Sequence, residues 1–133
     1  MLLVAAKTIL VAVAAFFLLL GLISLARPVH ARRFLLGFAA SASKHYAELC
    51  ARFVTGGAMI VVAPHSTQSA ALSAFGWLLI GTTAVMAVVP WRIHRRFAEA
   101  AVPKALRFLP MIGVISVLLG GLLLWTTVTA SAA

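Results

Sequence analysis

Apolar residues dominate the chain in four long runs, separated by short segments rich in proline and basic side chains. The first run, Thr8 to Ala26, closes at Arg27-Pro28. Proline lacks the N–H that a helix interior needs, so the pair predicts a stop. Lys7 offers the minimal positive start of a signal peptide, but the run is too long and no small-x-small cleavage site follows, which predicts a retained helix. The second run is short: only Phe53 to Ala63 lie between Arg52 and Pro64. At about 1.5 Å per residue these cover little more than half of a ~30 Å hydrocarbon core. A full span must begin near Lys44 and carry His45, Glu48 and Arg52 in its first turns; the alternative is a short helix with local membrane thinning.

Pro64-His65-Ser66-Thr67-Gln68-Ser69 predicts a tight polar turn in which a Ser or Thr caps the next helix. The third run, Ala70 to Val89, stops at Pro90, and the fourth extends from Phe108 to Val128 with Pro110 tolerated in its first turn. Trp77, Trp91 and Trp125 are expected near the ends of runs, where interfacial aromatics belong. The predicted fold is all-α, four transmembrane helices forming a single membrane domain over 1–133.

Composition agrees with that pattern. Of 133 residues 64% are hydrophobic and 10% charged, with mean hydropathy +1.13. Soluble domains are about 45–50% apolar even with glycine counted, so this balance excludes a soluble enzyme, a disordered chain and a second domain of useful size. Cys50 is the single cysteine, so no intramolecular disulfide or cysteine-based metal cluster can form.

The net charge is +9, from 11 Lys and Arg against Glu48 and Glu99. The positive residues are segregated. Arg27, Arg32, Arg33, Lys44 and Arg52 occupy one connection, Arg92, Arg95, Arg96, Lys104 and Arg107 the other, and Lys7 stands alone on the opposite side. The positive-inside rule then places both basic connections in the cytoplasm and both termini outside, in a multi-pass protein of a bacterial inner membrane. Flanking apolar runs as they do, these charges point to anionic lipid headgroups and away from nucleic acid.

The two basic connections resemble each other. Pro28-Val29-His30-Ala31-Arg32-Arg33-Phe34 recurs, one residue longer, as Pro90-Trp91-Arg92-Ile93-His94-Arg95-Arg96-Phe97. Each leads to an Arg-Phe pair (Arg52-Phe53, Arg107-Phe108) and a Gly-Gly pair (Gly56-Gly57, Gly120-Gly121). One reading is two tandem hairpins, residues 1–64 and 65–133, joined by interfacial amphipathic connections. Chance similarity between two basic loops is the other.

Three groups of residues are candidates for function. On a helix His45, Glu48 and Arg52 share one face, continued by Gly56 and Met59, with Glu48 and Arg52 at i,i+4. Such a stripe can bind a headgroup, an amphiphile or a partner helix; the plainer reading is that Glu48 neutralises Arg52 while Arg52 snorkels to the headgroups. The second group comprises the basic patches: Arg32, Arg33 and Lys44 beside Phe34, Leu35 and Phe38, then Arg92, Arg95 and Arg96 opposite Ile93, Phe97 and Ala101. These bind anionic lipid, or set topology alone, or both. Finally, Ser116-x-x-x-Gly120 is a small-xxx-small pattern that allows close helix packing.

Negative chemistry limits the rest. Cys50 lies about 140° from His45 around the helix, so the two make no nucleophile–base pair. His30, His45, His65 and His94 all fall at or outside the run boundaries, which leaves no axial ligands for a haem between helices and no cofactor to expect. The run interiors hold Thr82, Thr83 and Ser116 but no carboxylate, lysine or histidine, which argues against a proton- or cation-coupled pump.

From Pro90-Trp91-Arg92 to Leu124 the chain resembles the short two-helix inner-membrane proteins of the YjeT type, with an apolar helix, a proline, a basic patch, then Arg and glycines leading the second helix. The resemblance covers about a third of the chain and implies a hairpin fold without an activity. The first half departs from it through the longer connection from Gly37 to Ser43. The paired cysteines of quinone-linked thiol oxidoreductases and the first-helix glutamate of small multidrug exporters are missing, while DoxX-like four-helix proteins match in size and shape alone. The expected function is a non-catalytic accessory subunit of a larger membrane complex that binds anionic lipid. The alternative is a homo-oligomeric facilitator or sensor of an amphiphile; an enzyme comes third and needs a partner to supply its chemistry.

Overall fold

A computed structural model describes residues 1–38 and 41–130, the side chains of Leu36 and Phe38 excepted. Six helices follow one another: α1 (Leu2–Ala26), α2 (Pro28–Phe38), α3 (Ala42–Val62), α4 (Ser69–Val88), α5 (Trp91–Ala105) and α6 (Leu109–Val128). Single 3-10 turns, Ala63–His65 and Leu106–Phe108, join α3 to the following loop and α5 to α6. No strand occurs among the described residues, and four helical stretches are long and apolar enough to cross a membrane. These contain α1, α3, α4 and, as the apolar part of the continuous α5–α6 stretch, α6.

The sequence boundaries hold with local corrections. α1 starts at Leu2 instead of Thr8, so Lys7 lies inside it, and its ammonium donates to the Ala130 carbonyl just beyond α6. Arg27 ends α1, its N–H bonding the Ile23 carbonyl at 2.8 Å, and Pro28 opens α2 at a position where a missing N–H costs nothing. α3 begins at Ala42 because Ser41 caps it, accepting the Lys44 N–H at 3.4 Å. No side chain caps α4: the Ser66 hydroxyl accepts the Gln68 N–H at 3.2 Å within the turn. Trp77 is not terminal. α4 begins at Ser69, which leaves this indole near the middle of the helix and 62% exposed.

The four long helices alternate in direction, with α2, α5 and the adjoining turns gathered at one end, here the basic end. Ala31, Leu106 and Leu109 form a small core there, backed by Ile23, Leu35 and Val102. A larger core at the opposite end joins Ala6, Leu10 and Ala14 of α1 to Ala58 and Val62 of α3, Leu72 of α4 and Leu123 of α6.

The packing order is α6–α1–α3–α4. The most extensive contact is between α1 and α6, the next between α3 and α4, and α1 against α3 links the two pairs. Residues 65–133 therefore do not close as a second hairpin, since α4 and α6 at most graze each other. Glycines explain the preference. A methyl group added at Gly21 would stand 2.7 Å from the Gly113 carbonyl oxygen, and one at Gly120 would stand 2.9 Å from that of Ala14. Only where side chains are absent can two backbones come this close.

Candidate functional site at the basic end

The polar stripe on α3 divides between two neighbours. His45, in the first turns, is 4% exposed and turns towards α5, where its ring lies 4.6 Å from the His94 ring at an interplanar angle of 39°. Tyr46 meets it edge-on at 5.4 Å. Its Nδ1 is buried with no hydrogen-bond partner among the described residues. Two turns further along, Arg52 faces α4. Its Nε donates to the Thr83 hydroxyl at 3.2 Å, its Nη2 donates to the Thr82 hydroxyl at 2.9 Å, and its Nη1 lies 3.7 Å from Glu48.

Glu48 and Arg52 pair as their i,i+4 spacing predicts, and the guanidinium also engages α4. Thr82 sits six residues before the end of α4, so the guanidinium is held about 9 Å inside that helix. Both threonines send their own protons to carbonyls of the preceding turn, Thr82 to Leu78 at 2.8 Å and Thr83 to Leu79 at 2.6 Å. Their oxygen lone pairs stay available to accept from the arginine. His45, Glu48 and Arg52 thus form two separate contacts, a histidine pair and an arginine bridge, and do not line one cavity.

The threonine partners were recoverable from sequence. Arg52 lies twelve residues before Pro64 and Thr82 thirteen after Ser69, so an antiparallel pair closed by the 64–69 turn brings them level. The His45–His94 contact had no such signal. The repeat matched His94 with His30, yet His30 is exposed on α2 while His94 is half-buried against α3.

The basic patches lie where the two short helices meet the bundle. On α5, Ala98 is buried and His94 and Val102 are half-buried on the same face, whereas Ile93 and Phe97 are 58% and 69% exposed. Arg95 pairs with Glu99 at 2.7 Å and lies 5.9 Å from the Trp91 ring. Lys44 is also engaged, donating to the Gly37 carbonyl in the last turn of α2 at 2.8 Å. Cations suit the negative end of a helix, so Lys44 braces the α2–α3 connection. Arg32, Arg33, Arg92 and Arg96 are exposed, and no hydrogen bond or ion pair holds them among the described residues; the same is true of Arg27, Lys104 and Arg107.

Ser116 and Gly120 lie inside the chain's own α1–α6 contact. Ser116 is 5% exposed, and Gly120 backs onto Ala14 and Leu18. Cys50 is exposed on the side of α3 away from His45. No trio of His, Cys, Asp or Glu is placed to hold a metal ion among the described residues. No protein-family model, curated protein or solved structure matches the chain.

Proposed function

We propose that this chain is a non-catalytic integral membrane protein of a bacterial inner membrane, an accessory subunit of a larger complex whose basic, cytoplasmic end binds anionic lipid. The observation that carries the reading is the unpaired set of Arg27, Arg32, Arg33, Arg92, Arg96, Lys104 and Arg107 beside the outward-facing Ile93 and Phe97. A helix with bare cations on one side and large apolar groups on another lies in the headgroup region. Each base near an anionic surface contributes about 1 kcal/mol.

The accessory role draws support from the row-like packing. α4 has substantial contact only with α3 and the turn that precedes it, and its far side presents Phe75, Trp77, Leu78 and Val85. A partner subunit would meet that edge, because the Ser116–Gly120 face is already used within the chain. One observation favours the alternative, an amphiphile facilitator or sensor: the unpartnered Nδ1 of His45. Against it stands Arg52, committed to α4 and so removed from any shared surface with His45.

The test is extraction of the tagged protein from its native membrane in mild detergent, followed by mass spectrometry of companions and lipids. A stoichiometric larger partner with enriched anionic lipid is expected. Recovery of the protein alone, as an oligomer, would replace the subunit reading with the facilitator reading.

A further inference from the structure

A groove of about 260 Å³ runs between α1 and α2 at the basic end, lined by Phe16, Leu19, Leu20 and Ile23 on one side and His30, Ala31 and Phe34 on the other. The α1 residues follow i, i+3, i+4, i+7 spacing and form one continuous stripe. Phe16 lies ten residues before the end of α1, so the groove descends about 15 Å from the connection towards the middle of the helix. At its deep end the rings of Phe16 and Phe34 approach to 6.2 Å. Its lining is apolar apart from the His30 imidazole.

The rim is cationic. Arg27 follows Ile23 by one turn at the end of α1, beside His30, and its side chain is exposed and unpaired among the described residues. Drug-sized ligands occupy pockets of ~300–1,000 Å³. A smaller, open-sided groove of this depth takes a single acyl chain and leaves the headgroup outside, level with the rim.

We infer that this groove seats one acyl chain of an anionic phospholipid whose phosphate lies against Arg27 and His30. The inference rests on the lipid-binding reading above and assigns it one specific place. Chain and groove fix position without selecting the lipid, because a tail leaving the bilayer for the groove exchanges one apolar contact for another. Selection comes from the rim, where each cation favours an anionic over a zwitterionic headgroup by about fivefold. Arg96, on α5, belongs to the diffuse basic surface and not to this site.

The full chain reconstituted with equal phosphatidylglycerol and phosphatidylethanolamine, then extracted and weighed by native mass spectrometry, tests the assignment. Wild type is expected to retain one phosphatidylglycerol preferentially. Leu19→Trp fills the groove from a position already 60% exposed, and removes the retained lipid. Phe16→Ala, on the same outward side of α1, serves as a second variant should the first fail to fold, and loosens retention. Arg27→Gln leaves a lipid bound but lowers the preference for phosphatidylglycerol by about fivefold, whereas Arg96→Gln leaves both properties unchanged. If the preference survives in folded Leu19→Trp and Phe16→Ala yet falls in Arg96→Gln, the groove assignment is overturned and the general lipid reading stands. If wild type shows no preference for phosphatidylglycerol, both fall.

Discussion

The two tight helix pairs, α1–α6 and α3–α4, reach similar closeness by different means. In α1–α6, Gly21, Gly113 and Gly120 let the backbones approach, and the buried Ser24 hydroxyl stays on its own helix, donating to the Leu20 carbonyl at 2.7 Å. In α3–α4 one reciprocal glycine contact, Gly56 against Gly76, is followed a turn later by the Arg52 bridge to Thr82 and Thr83. The first pair relies on shape along its length, with one polar tie at its end from Lys7 to the Ala130 carbonyl. The second adds polar bonds that only these two helices share. Between helices in lipid, where burying apolar surface gains nothing, close packing is the general solution and a hydrogen bond a modest supplement.

The largest expected effect tests the α1–α6 pair. Gly21→Leu would drive a side chain into the Gly113 carbonyl and the Val117 backbone, neither of which can rotate away. Overpacking of this kind costs about 3 kcal/mol, and a detergent unfolding titration should record the loss. Gly76→Ala comes next. Its methyl meets the Gly56 carbonyl at 2.9 Å and the flexible Ile60 side chain at 2.8 Å, so only part of the strain can relax, and a fall of about 1–3 kcal/mol is expected from the same titration.

Substitutions at the bridge separate its two ends. Thr83→Val deprives the Arg52 Nε of its acceptor and should cost about 1–2 kcal/mol, since a charged donor is left short inside the helix pair. Arg52→Met should cost less than about 1 kcal/mol, because both threonines remain satisfied by their own helix. The reverse order would show that Arg52 holds α3 and α4 together through some other contact. The smallest effect belongs to Gly57→Ala, where an added methyl meets nothing within 4 Å. A helix interior prefers alanine, so thermal stability should hold or rise by up to about 1 kcal/mol.

Where helices begin and end could be read from the sequence, and how they pair could not. Pro28, Pro64 and Pro90 act through their own missing N–H, and the short apolar run before Pro64 forces α3 back to Ser41; both effects are local. Pairing depends on which face of a helix turns inward. For α1, α4 and α6 the outer face is as apolar as the inner one: Leu19, Leu78 and Leu118 are each about 60% exposed while Leu10 and Leu72 are buried. Where both faces are equally apolar, hydrophobic patterning cannot distinguish the two. What marks the inner face is small size, and Ser116 with Gly120 conveyed that much. Gly57, Gly81 and Gly121 are equally small and face open space, so size alone also misleads. At the candidate site, Arg52 and Glu48 were legible as an i,i+4 pair, but the contact that joins His45 to His94 depends on where α5 comes to rest, which no local rule sets.

The α1–α6 contact also bears on how the chain is made. Its two halves are among the most distant in the sequence, with Lys7 and Ala130 123 residues apart. Ribosomes add roughly 5–20 residues per second, so α1 is made several seconds before α6 exists. Throughout that interval Gly21 and Ser24 lack their partner, while α3 and α4, joined by a short turn, can pair at once. The order of synthesis thus opposes the order of contact area: the smaller pair can form first, and the last helix made completes the longest seam.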